Sequence, residues 1–268
     1  MNSPSNRAII VAAGRGRRLG ENTAEIPKCM VRVNGQPILH WQLQAFAAAG
    51  IRDVIIVRGY LGDRIDAGEF SARFVDNPEW ERNNILASLM YAAGEFSGGF
   101  FFSYCDIVYA PSVVARLAAA AQSPAAASLI IDRRWADAYH GRTLHPVSEA
   151  ELAAVESVGP AQESRVIQVG KGAVAAVQAE GEFIGLAHFS PAGATSLGKT
   201  WQDALAGGLD APFGRAKALR QAYLTDALNA MAGAGKRLAP VFIDGEWREI
   251  DTQQDLAAAE LAANLWTG

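Results

Sequence analysis

The stretch AIIVAAGRGRRLGENTAEIPK, Ala8 to Lys28, decides how this chain is to be read. A short apolar run enters a loop rich in glycine and arginine, and the loop closes on Pro-Lys. Gly14, Gly16 and Gly20 spell GxGxxxG directly after the expected strand, with Arg58 at the end of the next one. A dinucleotide-binding turn would need a helix to begin in that loop and pack on the sheet. LGENTAEIPK has almost no apolar face, Pro27 would break a helix there, and the residues after Gly16 read as extended loop. The alternative is a loop that wraps an anion. Glycines let backbone N–H groups face phosphate oxygens, and Arg15, Arg17, Arg18 and Lys28 supply positive charge. A solvated basic loop is the plain competitor, and the position of this loop after the first strand argues against it.

Outward from the loop, apolar runs alternate with helical patterns. Strands are expected over 7–13, 53–60, 72–77, 98–106 and 126–132, and helices over 37–50, 83–96 and 111–121. This alternation predicts an α/β fold, a Rossmann-like, mostly parallel (mixed) sheet with helices on both faces. Ligands of such sheets bind beyond the carboxyl ends of the strands, where Gly14, Gly59, Tyr60, Asn77 and Asp106 all fall. The polar stretch 133–181 reads as an insertion of irregular and hairpin structure over the sheet, within one domain spanning 1–268. EFIGLAHFS returns to a central strand. Helices near 191–206 and 216–233, strands LAPVFI and WREI, and a helix from Thr252 complete the pattern.

The totals narrow the function. The 268 residues carry a formal charge of -4 with half of them hydrophobic, which predicts a large core and no broad basic field for nucleic acid. No apolar run approaches a membrane span, and the start, MNSPSNR, lacks the pattern of a secretion signal. Cys29 and Cys105 lie far apart and read as reduced thiols. The cytoplasm is the expected location. A homodimer is left open.

AAGRGRRLGENTAEIPKCMVRVNGQPIL resembles the signature of nucleotidylyltransferases of the sugar-nucleotide and molybdopterin-guanine type, roughly A-A-G-x-G-x-R, a spacer, then P-K. The resemblance implies a nucleotidyltransferase fold of the GT-A-like kind. It implies that Ala12, Ala13, Gly14, Arg15 and Gly16 hold the triphosphate, that Arg18 meets its outer phosphates and that Lys28 stabilises the reacting phosphate. DNPEWERNNILASL (76–89) is similar to the corresponding segment of cytidylyltransferases acting on phosphocholine and phosphonates. There Asn77, Asn83, Asn84 and Ser88 would read a pyrimidine, with Gly59 and Tyr60 against the base. Asn83 and Asn84 also open a helix, and capping alone would explain either. The family's metal positions match Asp106 and Asp251, with Glu249 as helper, implying Mg²⁺. For Asp251 the competing role is the N-cap of the last helix, with Thr252 as rival.

DRRWADAYHGRTLHPVSEAE and GKGAVAAVQAEGEFIGLAHFS resemble the phosphonate-activating branch. That resemblance implies a small acceptor such as 2-aminoethylphosphonate or 2-hydroxyethylphosphonate, enclosed by Asp132, Tyr139, Arg142, His145, Lys171 and Glu182. Arg142 and Lys171 would meet the phosphonate, and Asp132 or Glu182 an ammonium. A surface ion pair is the alternative for each. Trp135 and Tyr139 would cage a quaternary ammonium or staple the insertion. The histidines show no metal-ligand spacing. The implied reaction is transfer of CMP from CTP with release of pyrophosphate. Phosphocholine or a sugar or polyol phosphate is the alternative acceptor, and a non-catalytic nucleotide sensor the remote one.

Overall fold

The computed structural model describes residues 6–158 and 163–266. The reading of the polar start falls largely on residues outside that range, as do 159–162 of the expected insertion. β1 (Arg7–Ala12) leads into the glycine loop, a tight hairpin of β2 (Arg32–Val33) and β3 (Gln36–Pro37), and α1 (Ile38–Ala48). β4 (Asp53–Arg58), β5 (Ala72–Asp76) and α2 (Ile85–Met90) follow, then β6 (Phe100–Tyr104), β7 (Ile107–Tyr109), α3 (Pro111–Ala120) and β8 (Ala127–Asp132). α4 (Trp135–Ala138) and the hairpin of β9 (Leu152–Val158) and β10 (Glu163–Val169) precede β11 (Gly181–Phe189). α5 (Pro191–Leu205), α6 (Leu224–Gly233), β12 (Leu238–Ile243), β13 (Trp247–Glu249) and α7 (Gln253–Ala263) complete the chain.

The main sheet is mixed. β1, β4, β5 and β6 run parallel, β11 runs antiparallel to β6, β8 and β9, and β12 returns parallel to β8. Along β1 the apolar residues divide between two cores: Ile9 and Val11 join one, and Ala8, Ile10 and Ala12 the other. The first core takes Leu86 and Leu89 of α2, Leu197 of α5 and Leu228 of α6, and the second takes Leu39 and Leu43 of α1 and Leu117 of α3. A sheet covered on both faces must be apolar at successive positions, which is why RAIIVA carries no alternation. The chain leaves β1 for β4 and β5 on one side and returns to β6 on the other. The carboxyl ends of β1 and β6 therefore diverge into a crevice.

Three expectations need correction. The insertion does not simply cover the sheet, because β9 and β10 extend it through β11. The expected helix over 83–96 ends as an α-helix at Met90 and gives way to a 3₁₀ turn at Ala93–Glu95. The loop after Gly16 is not extended. It winds into 3₁₀ turns over Arg17–Thr23, kinked at Gly20, with Leu19 buried against the core that holds Ile250 and Ala259.

β11 shifts register between Phe183 and Ala187, and Gly185 sits there at φ 82°. A Cβ on Gly185 would lie 2.0 Å from Tyr104 Cδ2, so the ring occupies the space the glycine leaves. Gly185→Ala should destabilise the fold by about 2–4 kcal/mol through left-handed backbone strain and overpacking, measured by urea denaturation. An unchanged midpoint would show that the strand tolerates a side chain there.

Candidate active site

A cavity of about 390 Å³ opens in the crevice. Its floor is an ion cluster. Lys28, only 6% exposed, donates through Nζ to Asp106 Oδ2 at 2.7 Å and to Asp251 Oδ1. Arg18 Nη2 donates to Asp251 Oδ2 at 2.5 Å, and His145 Nδ1 lies 3.2 Å from the same oxygen. Burial by itself would lower the Lys28 pKa, but the carboxylates of Asp106 and Asp251 outweigh it and hold the ammonium charged. Burial pushes Asp251 upward, and Lys28, the His145 hydrogen bond and Arg18 pull it well below the usual carboxylate range.

Lys28 and Asp251 are 223 residues apart, and local structure explains how they meet. β13 pairs antiparallel with β7, and Ile250 N donates to Asp106 O at 2.8 Å. That short ladder carries WREID to the end of β6. The rivalry for the α7 N-cap resolves to Thr252, whose hydroxyl accepts from Asp255 N at 3.2 Å while the Asp255 carboxylate accepts from Thr252 N at 2.8 Å. Asp251 is thereby left to the cluster. Gly16, at φ 66°, has the Lys28 stem against it, where a Cβ would come within 2.9 Å of Lys28 Cδ. Gly14 faces open space, leaving its backbone accessible to a ligand.

The other loop residues divide. Ala13, Arg17 and Arg18 line the cavity. Ala12 is buried in the core beneath, and Arg15 lies over the Tyr60 ring at 5.1 Å. Neither is among the lining residues. Gly59 and Tyr60, expected against a base, are not among the lining residues either. Tyr60 N donates to Ala13 O at 3.0 Å and its hydroxyl to Ala24 O at 2.9 Å, so the residue buttresses the loop from behind. Trp80, packed edge-on against Tyr60 at 5.4 Å, supplies the wall. The sequence reading passed over it, although it stands inside the quoted DNPEWERNN.

Of the asparagines, Asn84 caps α2 by accepting from Ile85 N at 2.8 Å, and its Nδ2 donates to Gln221 O at 3.2 Å. It reaches the cavity rim with its amide engaged. Asn77 is buried behind the wall and does not line it. Its Nδ2 donates to Asn83 Oδ1 and Ser88 Oγ, both at 2.9 Å, and Asn83 Nδ2 donates back to Asn77 Oδ1 at 3.1 Å. Asn83 and Ser88, so positioned, face the cavity with Trp80 and Ile85.

Among the expected acceptor residues, Lys171 and Glu182 line the cavity, joined by Glu149, Glu151, Tyr104, Tyr223 and Trp247. Asp132 does not. Its oxygens accept from Arg134 N, Gly245 N and Trp247 Nε1, so it sets the Trp247 ring. Arg142 does not meet the acceptor region either. It donates to Asp255 Oδ1 at 2.6 Å and Glu249 Oε2 at 3.1 Å, bracing the WREID segment. Trp135 and Tyr139 form no cage in the cavity. They pack with Ala150, Leu152 and Val174, which makes them staples of the insertion, while the Tyr139 hydroxyl donates to Glu182 Oε1 at 2.8 Å.

The donor set suits a hard divalent cation. Asp106 Oδ1 is buried with no hydrogen-bond partner, and oxygen ligands are what Mg²⁺ takes. Sequence spacing gave His145 no metal partners, yet ligand atoms of His145, Glu249 and Asp251 all lie within 4.8 Å of one another. Burial, with Asp251 and Asp106 nearby, raises the Glu249 pKa, a strain that a cation would relieve.

Residues 8–180 match the family of MobA-like NTP transferase domains. A CTP:phosphoglutamine cytidylyltransferase from Campylobacter jejuni is 28% identical over 93% of this chain and 97% of its own length. A 2-aminoethylphosphonate cytidylyltransferase from Lancefieldella rimae is 34% identical over 40% of this chain and 45% of its own. The fold is that of the inositol-1-phosphate CTP transferase of T. maritima, with a TM-score of 0.72 at 20% identity over 100% of this chain and 99% of that one. The CTP:phosphocholine cytidylyltransferase of Streptococcus pneumoniae has the same fold, with a TM-score of 0.70 at 19% identity over 96% and 98%. Among the described residues no helix is long and apolar enough to cross a membrane.

Burial raises the carboxyl pKa of Glu151 to about 7 and that of Glu182 to about 8. From 4.5 to about 8 the folded protein keeps a proton on Glu182 that the unfolded chain has lost, so stability falls as pH rises through that window. Glu182→Gln should therefore lose less stability than the parent between these limits. Parallel denaturation profiles would show that the carboxyl ionises normally in the fold.

Proposed function

The chain belongs to the family of MobA-like NTP transferase domains, and on that basis we propose that it transfers CMP from CTP to a small phosphonate or phosphate acceptor, releasing pyrophosphate. The observation that carries this reading is the Lys28 ammonium, held under the glycine loop between Asp106 and Asp251 at the mouth of β1 and β6. A cation kept charged there by two carboxylates is positioned to neutralise charge developing on a phosphate during displacement. Arg17 and Arg18 line the same cavity and add to that field. Asn83 and Ser88 supply the amide and hydroxyl that a pyrimidine edge requires, beside Trp80. The cytidylyltransferase activity named for the relatives in Campylobacter jejuni and Lancefieldella rimae supports CTP as donor.

A phosphonate or phosphate oxygen is already ionised at neutral pH, so the reaction needs orientation and charge neutralisation rather than a general base. Asp106 and Asp251, with Glu249 and His145 beside them, would hold Mg²⁺. Bound there, the ion would supply further charge neutralisation on the phosphates. Acceptors of the 2-aminoethylphosphonate or 2-hydroxyethylphosphonate type are the proposed class, and the 2-aminoethylphosphonate cytidylyltransferase of Lancefieldella rimae supports this reading. Phosphoglutamine enters as a candidate through the relative aligned along nearly its whole length, and phosphocholine through its own cytidylyltransferase.

Lys28→Met should reduce pyrophosphate release from CTP and Mg²⁺ by about 10³-fold or more, the scale expected on losing a preorganised cation from the transition state. A rate within a few-fold of the parent would remove Lys28 from the chemistry. Silence of the parent with CTP, UTP, ATP and GTP across all these acceptors would favour a nucleotide sensor.

A further inference from the structure

The acids of the cavity are not equally matched. Lys28 offsets Asp106 and Asp251, Arg18 bonds Asp251, Lys171 Nζ reaches Glu149 Oε2 at 3.1 Å, and Arg142 bonds Glu249. Glu151 and Glu182 have no salt bridge, although Lys171 acts on Glu151 and Arg142 on Glu182 from further away. Both line the cavity at 5% and 4% exposure, and among the described residues neither has a basic group within ion-pair distance. Their partners are phenols. Tyr104 donates to Glu151 Oε2 at 3.0 Å, and Tyr139 to Glu182 Oε1 at 2.8 Å. Glu182 Oε2 is buried with no partner at all. The two segments are tied together, since Phe183 N donates to Glu151 O at 2.9 Å.

We infer that Glu182, backed by Glu151, is the site for an ammonium group on the acceptor, and that the enzyme selects acceptors carrying a protonated amine over hydroxylated ones of the same size. This rests on the transfer reaction proposed above and specifies its acceptor. Burial keeps a proton on Glu182, and a ligand ammonium supplies the counter-charge that lets the carboxyl ionise and satisfies the orphaned oxygen. A hydroxyl satisfies the oxygen but supplies no charge with which an ionised carboxylate could pair. Burial raises the pKa of both carboxyls, and neither the phenol hydrogen bonds nor the distant cations overcome it. The assignment also replaces Asp132, whose oxygens are already engaged with Arg134, Gly245 and Trp247.

The test compares matched acceptors in pyrophosphate release with CTP and Mg²⁺: 2-aminoethylphosphonate against 2-hydroxyethylphosphonate, and O-phosphoethanolamine against 2-hydroxyethyl phosphate. The parent should favour the amine of at least one pair by about 100-fold in kcat/KM, and Glu182→Gln should raise the amine KM by about 30–100-fold with kcat nearly unchanged, as loss of a charged hydrogen bond predicts. The KM for CTP should stay constant, which separates this effect from general damage. Glu151→Gln should act in the same direction. Equal treatment of amine and hydroxyl by the parent, or an equal loss on both in Glu182→Gln, would overturn the ammonium site. So would release with glucose 1-phosphate alone, though the transfer reaction would then stand. Silence with these acceptors and with phosphoglutamine and phosphocholine would remove the transfer reading, and the ammonium site with it.

Discussion

The Lys28 ammonium between Asp106 and Asp251 is the constraint around which the rest of this structure is arranged. A lysine buried alone would shed its proton, and a buried carboxylate would take one up. Together they stay ionised, provided each remains within hydrogen-bond distance of the other. That condition reaches far through the fold. Gly16 must lack a side chain so that the lysine stem can lie beneath the loop. β7 must pair with β13 to bring WREID to the end of β6. Thr252 must cap α7 so that Asp251 is free, and Arg142 must hold Asp255 and Glu249 in place.

Several polar residues that the sequence placed against ligand stand one layer behind the cavity lining. Asn77 sets Asn83 and Ser88, Tyr60 holds the glycine loop, Asp132 orients Trp247 and Arg142 braces the acids. The physical reason is common to all. A polar group buried near a cavity must be hydrogen-bonded before any ligand arrives, so most such groups are occupied by the protein. Glu182 Oε2 and Asp106 Oδ1 are exceptions within this cavity, both buried and unpartnered. Unpartnered atoms, more than polar residue types, distinguish the surface that meets a ligand from the shell that supports it.

Much of this was legible in the chain. The unbroken apolar run of β1 announced a strand covered on both faces, and Pro27 argued against an α-helix running through the glycine loop. The alternation that followed set the order of strands and helices, and acids at strand ends drew attention to Asp106. The length of the apolar segment after 83 misled, because a 3₁₀ turn continues the helical spacing for a few residues after hydrogen bonding has changed. Trp80 was missed because an aromatic between charged residues carries no periodic signal.

Local chemistry, which the sequence records, determined the sheet, the glycine loop and the basic charge at its end. Backbone preference and apolar patterning act over a few residues, so they can be read in order along the chain. Only the tertiary structure decided which acids face the lysine, which asparagines line the cavity and which carboxylates have no salt bridge. Those outcomes depend on a three-residue ladder between β7 and β13 and on a register shift in β11, contacts between segments that no local pattern relates. Burial and pairing are properties of the space those segments enclose, and that space exists only once they have met.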